Sequence, residues 1–381
     1  MLTRKRLKIL QVTQYLDIGG LETMILELCR HLDRTLFDVE ILCLNGYDPQ
    51  YIQRVIDNGI SVHLLKKKHR FDLGFFLRIT KFIRERQIDV LHAHSGCFFY
   101  VALFAIFSRV KIYIYTAHGL PVLKRLQDIV EDNLATLIVD TIVPVSVEIA
   151  EVLARRMPQS RRKMRLIING IDTRRFSPRP EARQLHEVSA QYGLDTNIFW
   201  VGSVGRLESV KNYSMLIKAF ASMNGVPGRK AGLVLVGEGS QMQMLQQLAR
   251  DYDVEYQVVF LGMQYRIHEI LPLLDVFVLS SLTEGTSISL LEAQACGIPA
   301  VVTDVGGNGF VVRNEENGFL CAVDDVVAMA VALCRLRDEP ETAKKMALAS
   351  RQRVLDGLDL DSMVKQYQRL YLQHDYREHR G

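Results

Sequence analysis

The chain is expected to fold as α/β in two successive doubly wound units, and three observations carry that expectation. Short apolar, strand-like runs alternate with amphipathic helical stretches through the first half. A polar segment containing Gly and Pro breaks the alternation near residue 170, after which it restarts. With 381 residues and 48% hydrophobic content, the chain can bury two cores rather than one.

In order, Leu7–Thr13 reads as a strand and Leu21–Leu32 as an amphipathic helix. Strand-like runs recur at Val39–Leu44, Val62–Leu65, Asp89–His92, Ile112–Thr116 and Thr141–Val143, with helical segments between them. A further strand is expected at Met164–Ile168, leading to Asn169-Gly170-Ile171-Asp172 and Phe176-Ser177-Pro178-Arg179-Pro180 as a linker. The second alternation has strands at Phe199–Val204, Gly232–Val236, Val258–Leu261, Val276–Leu279, Ala300–Val302 and Gly318–Cys321. The tail from Leu360 to His374 reads as a helix with Met363, Tyr367, Leu370 and Tyr371 on one face. The expected boundaries are a first domain at 1–170, a linker at 171–197, a second domain at 198–359 and a terminal helix at 360–381.

Net charge is only +4, but it is unevenly placed: residues 1–180 hold 28 Lys/Arg against 18 Asp/Glu, and the remainder 19 against 25. A basic first half is expected to face something anionic, either phosphates or a membrane surface. The six cysteines (Cys29, Cys43, Cys97, Cys296, Cys321 and Cys334) show neither CxxC nor metal-ligand spacing, which reads as reduced cytoplasmic thiols. Arg4, Lys5, Arg6 and Lys8 precede only a short strand and then polar residues, unlike a signal peptide. The most apolar run, Cys97 to Phe107, is eleven residues long, short of the ~20 that span a bilayer. A cytoplasmic location is therefore expected, with any membrane contact peripheral and at the inner face.

Ser281-Leu-Thr-Glu284-Gly285-Thr286-Ser287-Ile288-Ser-Leu-Leu-Glu292-Ala-Gln-Ala-Cys-Gly297-Ile-Pro299 is the most informative segment, because it sets two carboxylates eight residues apart around a helix start. Ser and Thr before the apolar spacing of Ile288, Leu290, Leu291 and Ala295 supply capping oxygens. The open N–H groups near Thr286, Ser287 and Ile288 are then turned toward an anion at the positive end of the helix dipole. Glu284 and Glu292 should lie about 10–12 Å apart at ~1.5 Å per helical residue. That exceeds the roughly 5–9.5 Å of a glycosidase pair. It suits two hydroxyl-bearing groups flanking a diphosphate, a sugar at Glu284 and a ribose at Glu292. Either Glu alone would read as a cap-region or solvated helical residue.

This segment resembles the E-x7-E signature of retaining glycosyltransferases of family 4, which have the GT-B fold: two Rossmann-like domains facing a central cleft. Other segments extend the resemblance over most of the chain. Gly205-Arg206-Leu-Glu-Ser-Val-Lys211-Asn212 follows the first strand of the second domain and looks like the family G-R-x4-K-N motif, whose Arg and Lys neutralise the leaving diphosphate. By the same resemblance the loop at Gly237 lies beside the nucleoside, the backbone at Gly262 contacts the base, and Gly19-Gly20 closes over the donor phosphates. His118, in Thr116-Ala-His118-Gly119, matches the family histidine that contacts the donor sugar. His94, in His92-Ala-His94, is placed on the acceptor side. The segments Gly306-Gly307-Asn308 and Asn317-Gly318-Phe319 are read as turn chemistry beneath the donor site.

The resemblance implies a metal-independent hexosyltransferase with Arg206, Lys211, Glu284 and His118 as catalytic residues. Gly19, Gly20, Gly205, Gly237, Gly262, Gly285, Thr286, Ser287, Ile288 and Glu292 would bind the donor. No cofactor is expected beyond the nucleoside-diphosphate sugar, with UDP favoured over GDP on family frequency. Gly19-Gly20 lacks the spacing of a GxGxxG or Walker loop, which counts against NAD and ATP. No Asp-x-Asp stands among first-domain strands, and the two histidines have no evident third metal ligand. The expected partners are the donor and a glycan or lipid-linked acceptor of bacterial polysaccharide or glycolipid synthesis, with peripheral contact to an anionic membrane and no nucleic acid. Two alternatives stay open, a sugar-nucleotide epimerase of similar fold and a non-catalytic nucleotide-sugar-binding protein.

Overall fold

The computed structural model of the protein describes residues 6–17, 19–66, 72–119, 126–179 and 182–378. Arg4, Lys5, the basic run Lys67 to Arg70 and Pro180 lie outside them. The chain divides into two units, one of Met1–Asn169 with Leu360–Gly381, the other of Gly170–Asp359.

In the first unit, β1 (Leu7–Leu16) buries Ile9, Leu10 and Val12 on both its faces, the pattern of a parallel strand covered by helices above and below. It is joined by β2 (Phe37–Tyr47), β3 (Ser61–Leu64), β4 (Val90–His94), β5 (Ile112–Ala117) and β6 (Thr141–Pro144), in the order β3-β2-β1-β4-β5-β6. The pairs are parallel, with Ile9 opposite Val39 and Val90. The helices are α1 (Gly20–His31), α2 (Pro49–Asp57), α3 (Leu73–Glu85), α4 (Phe98–Ser108), α5 (Leu126–Ile138) and α6 (Val147–Arg156). One core cluster holds Ile9 with Ile25 and Leu28, and a second holds Leu10 with Ile79 and Val101. Helix starts follow side-chain caps: Asp48 accepts from Tyr51 N at 2.7 Å, Asp72 from Phe75 N at 2.8 Å, and Ser146 from Ile149 N at 3.2 Å. Among the described residues no helix is long and apolar enough to cross a membrane.

The strand expected at Met164–Ile168 is not formed; a single bridge joins Met164 to Ile142. Arg165 N and Ile167 N donate to Ile142 O and Pro144 O of β6. Pro144 has no N–H to return, so a ladder cannot propagate along that four-residue edge.

The second unit repeats the architecture with β7 (Phe199–Val204), β8 (Ala231–Val236), β9 (Val258–Gly262), β10 (Val276–Leu279), β11 (Ala300–Thr303) and β12 (Gly318–Cys321), in the order β12-β11-β10-β7-β8-β9. Its helices are α7 (Ala182–Tyr192), α8 (Tyr213–Asn224), α9 (Met242–Asp251), α10 (Ile267–Ile270), α11 (Ile288–Ala295), α12 (Asn308–Val311), α13 (Val326–Asp338) and α14 (Pro340–Leu355). The stretch 171–197, expected as a linker, belongs to this unit and contains α7. Two arginines take up its backbone or tie it down: Arg351 donates to Thr173 O and Phe176 O, while Arg179 reaches Pro272 O, Leu274 O and Asp275. Gly297, at φ +70°, ends α11 in a Schellman turn, with Gly297 N bonded to Gln294 O and Ile298 N to Ala293 O. The Gly297-Ile298-Pro299 signal therefore stops a helix.

The last helix, α15 (Leu360–Glu378), belongs to the first unit and buries Met363, Tyr367, Leu370 and Tyr371 in the cluster around Ile9.

Candidate functional site

Parallel strands bring all their carboxyl ends to one edge of a sheet, and open α/β sheets bind ligands there. In the second unit β10 and β7 are neighbours, so the loops that follow them, 280–287 and 205–212, lie side by side at that edge. Ser280 Oγ donates to Lys211 O at 2.9 Å, and Leu282 N to Val210 O at 2.8 Å. Across this seam Lys211 Nζ pairs with Glu284 Oε1, and Ser281 Oγ donates to the same oxygen at 2.6 Å. Both charged side chains are largely covered, 20% and 11% exposed. An ammonium carries three donors, so Lys211 keeps hydrogen-bonding capacity beyond this contact. Arg206, on the same loop, is exposed.

Gly205 permits close packing: a Cβ there would stand 3.0 Å from the Tyr213 hydroxyl and 3.6 Å from Lys211 Cε. The loops after β8 and β9 close onto the same place. Gly205 N donates to Val236 O, Leu207 N to Glu238 O and Gly237 N to Gly262 O. Gly237, at φ +135°, has no room for a Cβ, which would fall well inside contact distance of Gly205 O. Gly262 is at φ +65°, and Met263 N beside it donates to Glu238 Oε1 at 3.3 Å. Ser240 donates its N–H and its hydroxyl to Glu208, bonds that hold that carboxyl below the usual range.

On the other side, Gly307 N donates to Gly285 O at 2.7 Å, and a Cβ at Gly307 would lie 2.5 Å from that oxygen. Thr303 Oγ1 donates to Ser281 O at 2.7 Å. Ser287 caps α11 through Leu290 N at 3.4 Å. Thr286 and Ser287 are buried, Gly285 and Ile288 half-buried. Glu292 is buried on α11, only 8% exposed. Asn317 Nδ2 braces this helix by donating to Gln294 Oε1 at 2.6 Å, and Asn308 Nδ2 donates to Thr303 O at the end of β11 at 3.0 Å.

Arg206, Lys211, Glu284, Gly205, Gly237, Gly262, Gly285, Thr286, Ser287, Ile288 and Glu292 thus all lie at strand ends, on the loops that follow them or on α11 of the second unit. Gly19, Gly20 and His118 lie on the first. Gly19 caps α1 in extended backbone, φ −164°, and Gly20 is the helix's first residue. His118 follows β5 and is half-buried; its backbone N donates to Ser95 Oγ at 2.9 Å. Desolvation holds its ring well below the usual histidine value, at about 3. His94 corrects the expectation of an acceptor-side position: it is fully buried, its Nδ1 2.9 Å from His118 Nε2 and its Nε2 2.8 Å from Gln11 Oε1. Alternate residues of a strand share a face, and β4 turns both His92 and His94 toward the cluster under α15.

Among the described residues no group of three or more His, Cys, Asp or Glu side chains is arranged to hold a metal ion. All six cysteines are free thiols, and burial pushes Cys29 and Cys296 up to about 12, too high for nucleophiles at neutral pH. Tyr213 and Thr303 were not singled out in the sequence. Ser281 was read there as a capping oxygen; its hydroxyl instead donates to Glu284, three residues on.

Two family models divide the chain between them, Glycosyltransferase Family 4 over residues 18–175 and Glycosyl transferases group 1 over 186–353. The chain is 26% identical over 374 residues to N-acetyl-alpha-D-glucosaminyl L-malate synthase of Bacillus anthracis, covering 94% of this chain and 95% of that protein. It is 26% identical over 390 residues to UDP-Gal:alpha-D-GlcNAc-diphosphoundecaprenol alpha-1,3-galactosyltransferase of Escherichia coli, covering 97% and 98%. The crystal structure of Anabaena HepE in complex with UDP and glucose superimposes with a TM-score of 0.85 at 19% identity, over 97% of this chain and 100% of that one. With a parallel, helix-covered sheet in each unit and a family model on each half, the chain belongs to the glycosyltransferases of the GT-B fold.

Proposed function

We propose that the protein is a retaining hexosyltransferase that needs no metal and moves a sugar from a UDP-sugar to an acceptor hydroxyl in bacterial polysaccharide or glycolipid synthesis. The observation that carries this reading is the Lys211–Glu284 pair beside Arg206 and the start of α11, all at the carboxyl edge of one sheet. Breaking a glycosidic bond to a nucleoside diphosphate leaves charge on the departing phosphate. Arg206, Lys211 and the N–H groups at Ser287 are fixed donors for that charge, and they need no reorganisation as it develops. Glu284 would hold sugar hydroxyls, Glu292 a ribose hydroxyl, and His118 the sugar ring. Among the described residues no side chain stands out as an enzymic nucleophile, so retention would follow from same-face attack, with the leaving phosphate taking the acceptor's proton. Support for UDP comes from HepE, crystallised with UDP and glucose, and from the Escherichia coli relative named for UDP-Gal.

Thermal shift against UDP- and GDP-sugars tests the nucleotide, with the larger rise expected from UDP-sugars. Glu292→Ala should remove most of that rise while changing kcat little; a variant that keeps full nucleotide affinity would overturn the ribose assignment. Incubation with labelled nucleotide sugar separates the classes. A transferase slowly releases free sugar, an epimerase yields an isomeric nucleotide sugar, and a binding protein returns its input. NMR of the product anomer decides retention.

For the acceptor we propose a lipid-linked glycan reached at the anionic inner face of the cytoplasmic membrane. Supporting this, α5 exposes Val130, Leu134 and Leu137 on one helical stripe, and α3 and α4 expose Leu73, Leu77, Ile106 and Phe107. The neighbouring basic segment exposes Arg161, Arg162 and Arg165. Lys163, in the same segment, caps the end of α5 instead, donating to Thr136 O and Val139 O at 2.8 Å each. Near an anionic leaflet each exposed cation adds about 1 kcal/mol, so several suffice for binding that high salt removes. Co-sedimentation with anionic vesicles at low salt, and little with neutral ones, is expected. Equal, negligible binding to both would leave a soluble acceptor.

A further inference from the structure

A continuous chain of buried hydrogen bonds runs behind His118. His118 Nε2 lies 2.9 Å from His94 Nδ1; His94 Nε2 lies 2.8 Å from Gln11 Oε1; and Gln11 Nε2 donates to the Tyr371 hydroxyl at 3.1 Å. Tyr371 OH lies 2.8 Å from His92 Nδ1, His92 Nε2 lies 2.7 Å from Thr116 Oγ1, and Thr116 Oγ1 lies 3.2 Å from Tyr367 OH. Gln11, His92, His94, Thr116, Tyr367 and Tyr371 are each at or near 0% exposed. Shut off from bulk solvent, these groups satisfy their donors and acceptors on one another.

Gln11 gives the chain its direction, because an amide has one acceptor end and one donor end. Its oxygen faces His94, so His94 Nε2 carries the hydrogen and its Nδ1 accepts, which requires His118 Nε2 to donate. Its nitrogen faces Tyr371, so that hydroxyl accepts from Gln11 and gives its own proton to His92 Nδ1. His92 Nε2 then donates to Thr116, and Thr116 to Tyr367. Turning the amide over would reverse every bond and move the hydrogen of His118 to Nδ1. Burial disfavours a charged ring at His92 and His94, which keeps each ring with one hydrogen.

We propose that Gln11 and Tyr371 are positioning residues that fix the tautomer of His118, leaving its Nδ1 as the acceptor offered to a hydroxyl of the donor sugar. The proposal rests on the reading of His118 as the residue that orients the sugar. The terminal helix α15 thereby has a part in the reaction, since it supplies Tyr371, 360 positions from Gln11.

The test uses full-length protein with 15N-labelled histidine, and long-range proton–nitrogen spectra of the wild type, Gln11→Met and Tyr371→Phe, with His118→Gln for assignment. The wild type should show His118 with hydrogen on Nε2. In Gln11→Met the acceptor of His94 is gone, and the two nitrogen shifts of His118 should move toward a tautomer average. Tyr371→Phe keeps the ring but removes both the acceptor of Gln11 Nε2 and the donor to His92 Nδ1, so the amide's orientation is released and the same change should appear in a variant that retains the aromatic packing. In both variants kcat should fall about tenfold with KM for the nucleotide sugar unchanged, the signature of an interaction made in the transition state. Hydrogen on Nδ1 in the wild type, or a His118 signal that Gln11→Met leaves unmoved, would overturn the proposal. A tautomer change with unchanged kcat would overturn the sugar contact of His118. Failure of the wild type to release sugar from any nucleotide sugar would instead overturn the transferase reading.

Discussion

Arg206→Ala is expected to lower turnover by about 10²–10³ and leave the melting temperature in place, whereas Lys211→Ala should lower both. The factor is that of removing one preorganised donor at a developing oxyanion. The two residues separate on stability because of their surroundings. Arg206 is exposed, and truncating it strands nothing. Lys211 is the cation of the covered Glu284, whose Oε1 would be left with Ser281 alone. Stranding a largely buried hydrogen-bonding group costs about 1–3 kcal/mol, more for a charged one. A rescue experiment divides the structural part from the catalytic one. Lys211→Met combined with Glu284→Gln removes both charges and should recover most of the lost melting temperature but none of the activity. Steady-state kinetics and thermal melts on the three variants are the measurement. Wild-type kinetics in both Arg206→Ala and Lys211→Ala would remove these residues from the leaving-group chemistry.

The pair is also where reading the sequence stops. Each loop was legible from local chemistry: a Gly-Arg turn after an apolar run, and hydroxyls before a helical spacing. That Lys211 and Glu284 touch was not, because they are 73 positions apart and meet only once β10 has paired with β7. The strand sequence of both sheets was readable because parallel strands are short apolar runs separated by helices. The errors came where one local signal stood for two outcomes. Met164–Ile168 has strand composition but faces an edge ending in Pro144. Residues 171–197 have linker composition, yet Arg179 and Arg351 bind that stretch to the second unit. His94 was misplaced for a related reason. In sequence, a histidine beside a cleft and one within a polar core look alike until Tyr371 and Gln11 are seen against them. The tail helix was easier, since the spacing of Met363, Tyr367, Leu370 and Tyr371 by itself gives a buried face.

Gly237→Ala should cost more than any other single methyl added to the second unit's site, and a matched control isolates the reason. Gly237 and Gly357 have similar φ, +135° and +122°, values that cost a residue with a side chain about 1–3 kcal/mol. A Cβ at Gly357 would meet nothing within 4 Å, so Gly357→Ala pays only that backbone strain and should leave kinetics untouched. A Cβ at Gly237 would collide with Gly205 O, a backbone atom that cannot rotate away as a side chain could. The loop after β7 must shift to relieve it, carrying Arg206 with it and loosening the Gly205 N to Val236 O and Leu207 N to Glu238 O bonds. Strain and collision together should destabilise the unit by roughly 3 kcal/mol, about 6–12 °C in its melting transition at 2–4 °C per kcal/mol. Because the displaced residue is one of the two site cations, kcat should fall at least tenfold, on the order of the loss from a misplacement of about 1 Å. Calorimetry and steady-state kinetics on the two variants decide the matter. If Gly237→Ala melts with Gly357→Ala and turns over like the wild type, the contact between the two strand-end loops does not hold Arg206 in place, and its position must be set from within its own loop.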